Sequence, residues 1–108
     1  MPFLDTANRE RRPIAPGIDM RTFWGEQMLL SKADLEPGAI LPVHNHPHEQ
    51  GGVILSGQLT LTIDGETQVL SAGDMYLVPG GVEHNGVAGL EGCVAVDIFS
   101  PVREEYKY

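Results

Sequence analysis

The sequence predicts an all-β fold made of one domain. From Met20 onward, short apolar stretches alternate with Gly, Pro and Asp residues that favour turns, and no stretch shows a helical period. Many short strands at regular spacing are typical of a β-sandwich or β-barrel. The chain has 108 residues, the usual size of a single domain. We expect an N-terminal arm over residues 1–17, which carries three prolines, and a barrel domain over residues 18–108.

The expected strands follow from apolar runs bounded by turn residues. They cover residues 21–24, 27–35, 40–46, 51–56, 59–63, a return strand ending at Leu70, 75–78, 82–87 and 93–99. Asp64-Gly65 between two alternating runs predicts a hairpin with a type I′ turn. Gly57 and Gly73 are expected at tight turns that favour positive φ, and a further turn is expected around Gly89.

Composition limits which partners the protein is expected to bind and in which compartment it is expected. The formal net charge of −8 makes nucleic acid and anionic membranes poor partners, because both require clustered Lys and Arg. The single cysteine, Cys93, allows no internal disulfide, and neither a leader peptide nor a membrane-spanning run is visible. We therefore expect a cytoplasmic protein. An extended arm readily adds to an open sheet edge, so residues 1–17 predict a homodimer.

Histidines predict a metal site. His44 and His46 point to the same face of a strand, because side chains alternate with period two. Two imidazoles do not complete a coordination shell, so another strand must supply the remainder. Gln50 and His84 are the candidates for that remainder. Glu49 is the rival of Gln50, although a continuous strand places Glu49 on the opposite face.

The spacing of these residues resembles the two motifs of the cupins. The first motif is matched, with Gln where Glu is commonest, by Gly38, His44, His46, Gln50 and Gly57. The second is matched, with Ala88 where the motif ends in Asn, by Gly73, Pro79, Gly81 and His84. The resemblance implies a cupin barrel of the double-stranded β-helix or jelly-roll type. It also implies a ligand set consisting of His44, His46, Gln50 and His84.

The ligand types bear on the metal and its chemistry. Imidazole and neutral oxygen ligands suit one divalent transition metal, which is Ni, Zn, Fe, Mn or Cu. A neutral Gln50 leaves the full dipositive charge on that metal and makes it a stronger Lewis acid. His48 is expected either at the rim of the site, where it supports binding, or on the plain surface. Gly51 and Gly52 are expected to leave the cavity wall less bulky.

The C-terminal stretch contains a second group of polar residues. Asp97 interrupts an apolar strand, where a carboxylate is costly unless it is paired or faces a cavity. It shares one strand face with Phe99, and Arg103 follows a turn at Pro101. The alternatives are a solvent-facing Asp97 at a sheet edge and an ordinary surface Arg103.

This stretch resembles the KdgF-type small cupins of pectin and alginate breakdown, which open and ketonise 4,5-unsaturated monouronates. The resemblance implies that Asp97 is the acid–base group, that Arg103 holds the sugar carboxylate and that Phe99 lines the pocket. Three functions are predicted in order: a metal-dependent lyase or isomerase of carbohydrate metabolism acting on a small anionic substrate, a metal-dependent dioxygenase, and a non-catalytic binding module. A dioxygenase needs an apolar pocket, for which the candidate residues are Trp24, Met28, Met75 and Phe99.

Overall fold

The chain folds almost entirely into β-strands, as the sequence predicts. A computed structural model describes residues 3–108. Its elements are β1 (Arg12–Ala15), β2 (Ile18–Trp24), β3 (Leu29–Leu35), β4 (Ile40–His44), β5 (Glu49–Ile63), β6 (Glu66–Ser71), β7 (Met75–Val78), β8 (His84–Ser100) and a 3-10 helix (Glu104–Tyr106). None of the helices in the described chain has the length and apolar composition needed to cross a membrane.

All strand pairs are antiparallel, and two long strands organise them. The strand order is β1-β2-β3-β8-β5-β6, with β4 paired to β8 and β7 paired to β5. The first part of β5 pairs with β7 and with the end of β8, whereas its second part pairs with β6 and with the start of β8. Because different parts of β5 and β8 pair with different neighbouring strands, the sheet wraps around one interior.

The length of these two strands corrects the predicted connections. The predicted interruption of β5 at Gly57 and the predicted turn around Gly89 are both wrong, because β5 and β8 run through these positions. The chain changes direction there through β-bulges, with register shifts between Ile54 and Ser56 and between Gly57 and Leu59. The positive φ predicted for Gly57 is confirmed at 75°, but it occurs in a bulge rather than in a turn.

The hairpin prediction is confirmed. Asp64 and Gly65 have φ values of 49° and 81°, as a type I′ turn requires, and they join β5 to β6. Within the predicted arm, β1 pairs with β2 of the same chain, and Ile14 and Ala15 pack against the core. The division of the chain at residue 17 stays a prediction.

The interior changes from apolar to polar along the inward faces of β5 and β8. Ile54 and Ala95 are paired across these strands and belong to the apolar core. Two residues further along each inward face lie Gly52 and Asp97, and the next pair is Gln50 and Phe99. The buried polar residues are Arg21, Thr22, Ser31, His46, Gln50, His84 and Asp97. Four of these residues, Ser31, Gln50, His84 and Asp97, line one cavity beside the apolar core.

Candidate metal centre

Three histidines from separate parts of the sequence meet in the barrel. His44 ends β4 and is paired with His84, the first residue of β8, and their ring centroids are 4.1 Å apart. His46 follows β4 in a loop, and its ring centroid lies 5.0 Å from that of His84. One nitrogen from each ring can be chosen so that all three lie within 4.8 Å of one another.

Backbone contacts bring the two motifs together. The N–H of Gly81, in the turn before β8, donates a hydrogen bond to the carbonyl oxygen of His46 at 2.8 Å. A Cβ at the neighbouring Gly80 would lie 2.4 Å from the carbonyl oxygen of Pro47. The turn can therefore approach the histidine loop this closely only with glycine at position 80.

Hydrogen bonds set the tautomer of each imidazole. The Nδ1 atoms of His44, His46 and His84 lie 2.7, 3.0 and 3.0 Å from backbone carbonyl oxygens, of Pro42, His48 and Val82 respectively. A carbonyl only accepts, so each Nδ1 carries the proton and each Nε2 keeps a free lone pair. The Nε2 of His84 is buried without a hydrogen-bond partner. An arrangement of this kind fits a divalent metal bound through three Nε2 atoms.

Gln50 is buried beside His46, whereas Glu49 is exposed. The Gln50 amide donates from Nε2 to Asp97 Oδ1 at 3.1 Å, which leaves its Oε1 facing His46 Nε2 at 3.1 Å. When His46 is protonated at Nδ1, both facing atoms carry lone pairs, and a cation bound to both satisfies them. The chemistry of the donor set therefore fits three imidazoles and one amide oxygen.

Burial favours the neutral forms of His46 and His84. It lowers the pKa of His84 to about 4 and also lowers the pKa of His46, to which the nearby Arg103 guanidinium adds. Metal ions bind the unprotonated imidazole. These histidines are consequently in the metal-binding form at neutral pH.

Asp97 lies on the inner face of β8 beside this cluster. It is buried, and its Oδ1 accepts hydrogen bonds from Gln50 and, at 2.5 Å, from the Tyr76 hydroxyl. Desolvation raises the pKa of Asp97, although both hydrogen bonds oppose that rise. A carboxyl group in this environment is suited to hold and release a proton.

Arg103 lies between two aromatic rings at the same cavity. Its guanidinium is 4.1 Å from the ring centroid of Tyr106 and 5.5 Å from that of Phe99. Its Nε lies 3.3 Å from a carboxylate oxygen of the exposed Glu105. The structure thus brings Arg103 and Phe99 to one cavity, whose polar lining also includes His44, Gln50, His84 and Asp97.

Other predicted site residues lie outside the cavity lining. The His48 ring centroid is 5.6 Å from that of His46, and the residue does not line the cavity. Trp24, Met28 and Met75, the apolar candidates for an oxygenase pocket, are 39%, 48% and 78% exposed and do not line it either. Of the four candidates, Phe99 alone faces the cavity, because the others lie on outward faces or beyond strand ends.

Sequence reasoning missed three polar residues that line the cavity: Ser31, Tyr76 and Tyr106. Ser31 is paired with Asp97 across β3 and β8, and its hydroxyl is buried without a partner. Tyr76 shares the inward face of β7 with Val78, a pattern that the alternation along this short strand already contained. The prediction that Gly52 leaves the cavity wall less bulky is wrong, because the Tyr76 and Asp97 side chains occupy the space beside it.

A wrapped antiparallel barrel holding a three-histidine centre defines the cupin class, and comparison with known proteins agrees. The family model described as Cupin domain matches residues 31–99, so this chain belongs to the cupin family. The chain is 31% identical over 84 residues to the pectin degradation protein KdgF of Dickeya dadantii, covering 77% of this chain and 76% of that protein.

Two solved structures share the whole fold. An RmlC-like cupin from Shewanella frigidimarina superposes with a TM-score of 0.92 at 30% identity, covering 99% of this chain and 96% of that chain. KdgF from Halomonas sp. superposes with a TM-score of 0.91 at 25% identity, covering 97% of each chain. The predicted cupin barrel and its relationship to the KdgF type are thereby confirmed.

Proposed function

We propose that this protein is a metal-dependent isomerase-type cupin that opens and ketonises 4,5-unsaturated monouronates. The observation that carries the proposal is that Asp97, Arg103 and the three histidines line or adjoin one cavity. The similarity of this chain to the pectin degradation protein of Dickeya dadantii supports this substrate class.

Arg103 binds the substrate carboxylate in this proposal. The chain as a whole has a formal charge of −8 and repels anions, so attraction has to be local. A guanidinium grips a carboxylate through two parallel hydrogen bonds, and Phe99 and Tyr106 hold this one between their rings. The Glu105 carboxylate now contacts Arg103, and its exposed position allows the substrate carboxylate to displace it.

The metal ligands in this proposal are His44, His46, Gln50 and His84. A divalent metal held there supplies Lewis acidity that polarises a substrate oxygen. Because Gln50 is neutral, the ligand set adds no negative charge to that centre. Ni, Zn, Fe, Mn and Cu all suit imidazole and amide ligands.

Asp97 moves the proton. Opening the ring removes a proton from the hemiacetal hydroxyl and breaks the ring C–O bond, which leaves an aldehyde and an enolate. Ketonisation adds that proton to the enolate carbon and gives a ketone, so no net proton or other reactant is consumed. The Asp97 carboxylate, with its raised pKa, can accept the proton from the hydroxyl and deliver it to the carbon.

Loss of the ultraviolet absorbance of a 4,5-unsaturated monouronate measures turnover. We expect Asp97→Asn to lower kcat by about 10²–10⁴-fold with metal content unchanged. Arg103→Ala should mainly raise KM, because it removes binding that exists before the transition state.

Absence of turnover above the spontaneous rate by the fully metal-loaded wild type would contradict the proposal. Oxygen uptake by iron-loaded protein would then test the dioxygenase alternative.

A further inference from the structure

Two donors converge on one oxygen of Asp97. The Tyr76 hydroxyl donates to Oδ1 at 2.5 Å, and the Gln50 amide donates to the same atom at 3.1 Å. No described residue donates a hydrogen bond to Oδ2. The two carboxylate oxygens of Asp97 therefore differ in their surroundings before any substrate binds.

Three strands and one glycine create this contact. Gly52 of β5 is paired with Tyr76 on one side and with Asp97 on the other. A Cβ at position 52 would lie 2.4 Å from the Tyr76 hydroxyl oxygen and 2.5 Å from Asp97 Oδ1. Only glycine lets the tyrosine reach across β5 to the carboxylate. The contact is consequently built by the sheet and not by a mobile loop.

We propose that Tyr76 is a positioning residue that, together with Gln50, occupies Oδ1 of Asp97 and leaves Oδ2 as the oxygen that exchanges the proton with substrate. The proposal rests on the proposed function only where it gives Asp97 the acid–base role. The two oxygens of a carboxylate are equivalent, so a half turn about its Cβ–Cγ bond only exchanges them, but a smaller rotation changes the direction in which the free oxygen points. The hydrogen bond from Tyr76 opposes that smaller rotation, because the hydroxyl would lose its acceptor.

The removal of one hydroxyl group tests this role. Tyr76→Phe keeps the ring and removes only the donor to Asp97. We expect kcat to fall about tenfold, the effect of losing one hydrogen bond of roughly 1.4 kcal/mol, with KM and metal content unchanged. In an Asp97→Ala background the same substitution should have no further effect on residual kcat, because a positioning residue acts through its partner.

Tyr108→Phe is the matched control. The Tyr108 hydroxyl also makes hydrogen bonds, at 2.5 Å to the carbonyl oxygen of Glu10 and at 3.2 Å to that of Met20, and the residue does not line the cavity. We expect this control to lower stability and to keep kcat. Unchanged kcat in Tyr76→Phe, loss of metal from it, or a full additional effect in the Asp97→Ala background would each overturn the proposal.

An unfolding cycle separates this inference from the proposed function. Tyr76→Phe and Asp97→Ala, singly and together, should show a coupling of at least about tenfold in the unfolding equilibrium constant. An inactive wild type would overturn the proposed function but leave this cycle interpretable. If the two substitutions are then additive in unfolding, Tyr76 does not hold Asp97 and the inference fails. Coupling would support it.

Discussion

At the residue scale, the hydrogen bonds of the imidazoles determine what the site can bind. His44, His46 and His84 each direct Nδ1 to a backbone carbonyl oxygen and keep Nε2 free. One water molecule donates only two hydrogen bonds, so it cannot satisfy all three Nε2 lone pairs at once. The three imidazoles are thus already oriented toward a common point, which would limit the structural rearrangement that binding of a metal ion requires.

Removing one imidazole tests the ligand set. We expect His84→Ala to weaken metal binding by more than the roughly 10–100-fold penalty of losing an outer-shell partner, because the substitution deletes a ligand. His48→Ala is the control, since His48 lies beside His46 outside the cavity lining and should leave metal content near the wild-type level. Elemental analysis after dialysis measures both. Equal metal content in wild type and His84→Ala would reject this ligand set.

The pH dependence of stability follows from burial of the histidines. In metal-free protein, His84 has a pKa of about 4 against its ordinary 6.5. As the pH falls, His84 is therefore protonated in the unfolded state before it is protonated in the folded state. Stability should therefore fall as the pH drops from about 6.5 to about 4, by up to about 3 kcal/mol. Asp97 acts in the opposite direction, because its raised pKa makes the folded state bind a proton as the pH falls.

Urea unfolding with a chelator measures this effect. The Asp97→Asn background removes the opposing carboxyl, and His84→Gln in that background removes the histidine contribution. A pH profile that is the same with and without His84 would show that its burial does not set the acid stability.

At the element scale, the bulges in β5 and β8 allow these two long strands to bend, so that each pairs with several other strands. Gly57 in the β5 bulge has a φ of 75°, and a Cβ there would lie 2.1 Å from the carbonyl oxygen of Gly92. Both the backbone conformation and the close approach of β8 thus exclude a side chain. Gly65 in the β5–β6 turn has a φ of 81° but no atom within 4 Å of an added Cβ.

These two glycines separate the conformational cost from the steric cost. Gly65→Ala should cost about 1–2 kcal/mol, the price of a left-handed alanine. Gly57→Ala carries the same conformational cost and also forces β5 away from β8, so we expect a loss above about 4 kcal/mol. Chemical denaturation compares the two variants. Equal losses would show that the strands relax around the added methyl group.

At the scale of the whole molecule, the predicted homodimer remains open to test. Phe3 and Leu4 near the N-terminus are 87% and 44% exposed, and apolar groups of this kind gain by being covered. Removing residues 1–4 deletes both and leaves β1, which belongs to the sheet, in place.

Light scattering measures the assembly. We expect a dimer for the full chain at micromolar concentration and weaker association after removal of residues 1–4. Leu90→Ser, which alters a 96% exposed leucine in β8, is the control and should leave the dimer intact. A full-length monomer under these conditions would contradict the prediction.

The sequence predicts structural features that depend on neighbouring residues better than features that depend on contacts between distant segments. The alternation of Leu59, Leu61 and Ile63, and the Asp64-Gly65 turn, are local patterns, and they correctly predicted strands and a hairpin. Gly57 and Gly89 suggested chain reversals, but bulged strands run through both positions, because glycine permits a bulge as well as a turn.

The sequence by itself determined the all-β class, the cupin family and the residue types of the candidate metal centre, because each motif and each alternating strand is a pattern of residues close in the chain. Only the tertiary structure decided that Tyr76 reaches Asp97 across Gly52, that Ser31 lies opposite Asp97, and that Trp24, Met28 and Met75 lie outside the cavity. These contacts join β3, β5, β7 and β8, whose pairing partners are chosen by packing between distant segments. Long-range packing of that kind leaves no periodic pattern in any one stretch of sequence.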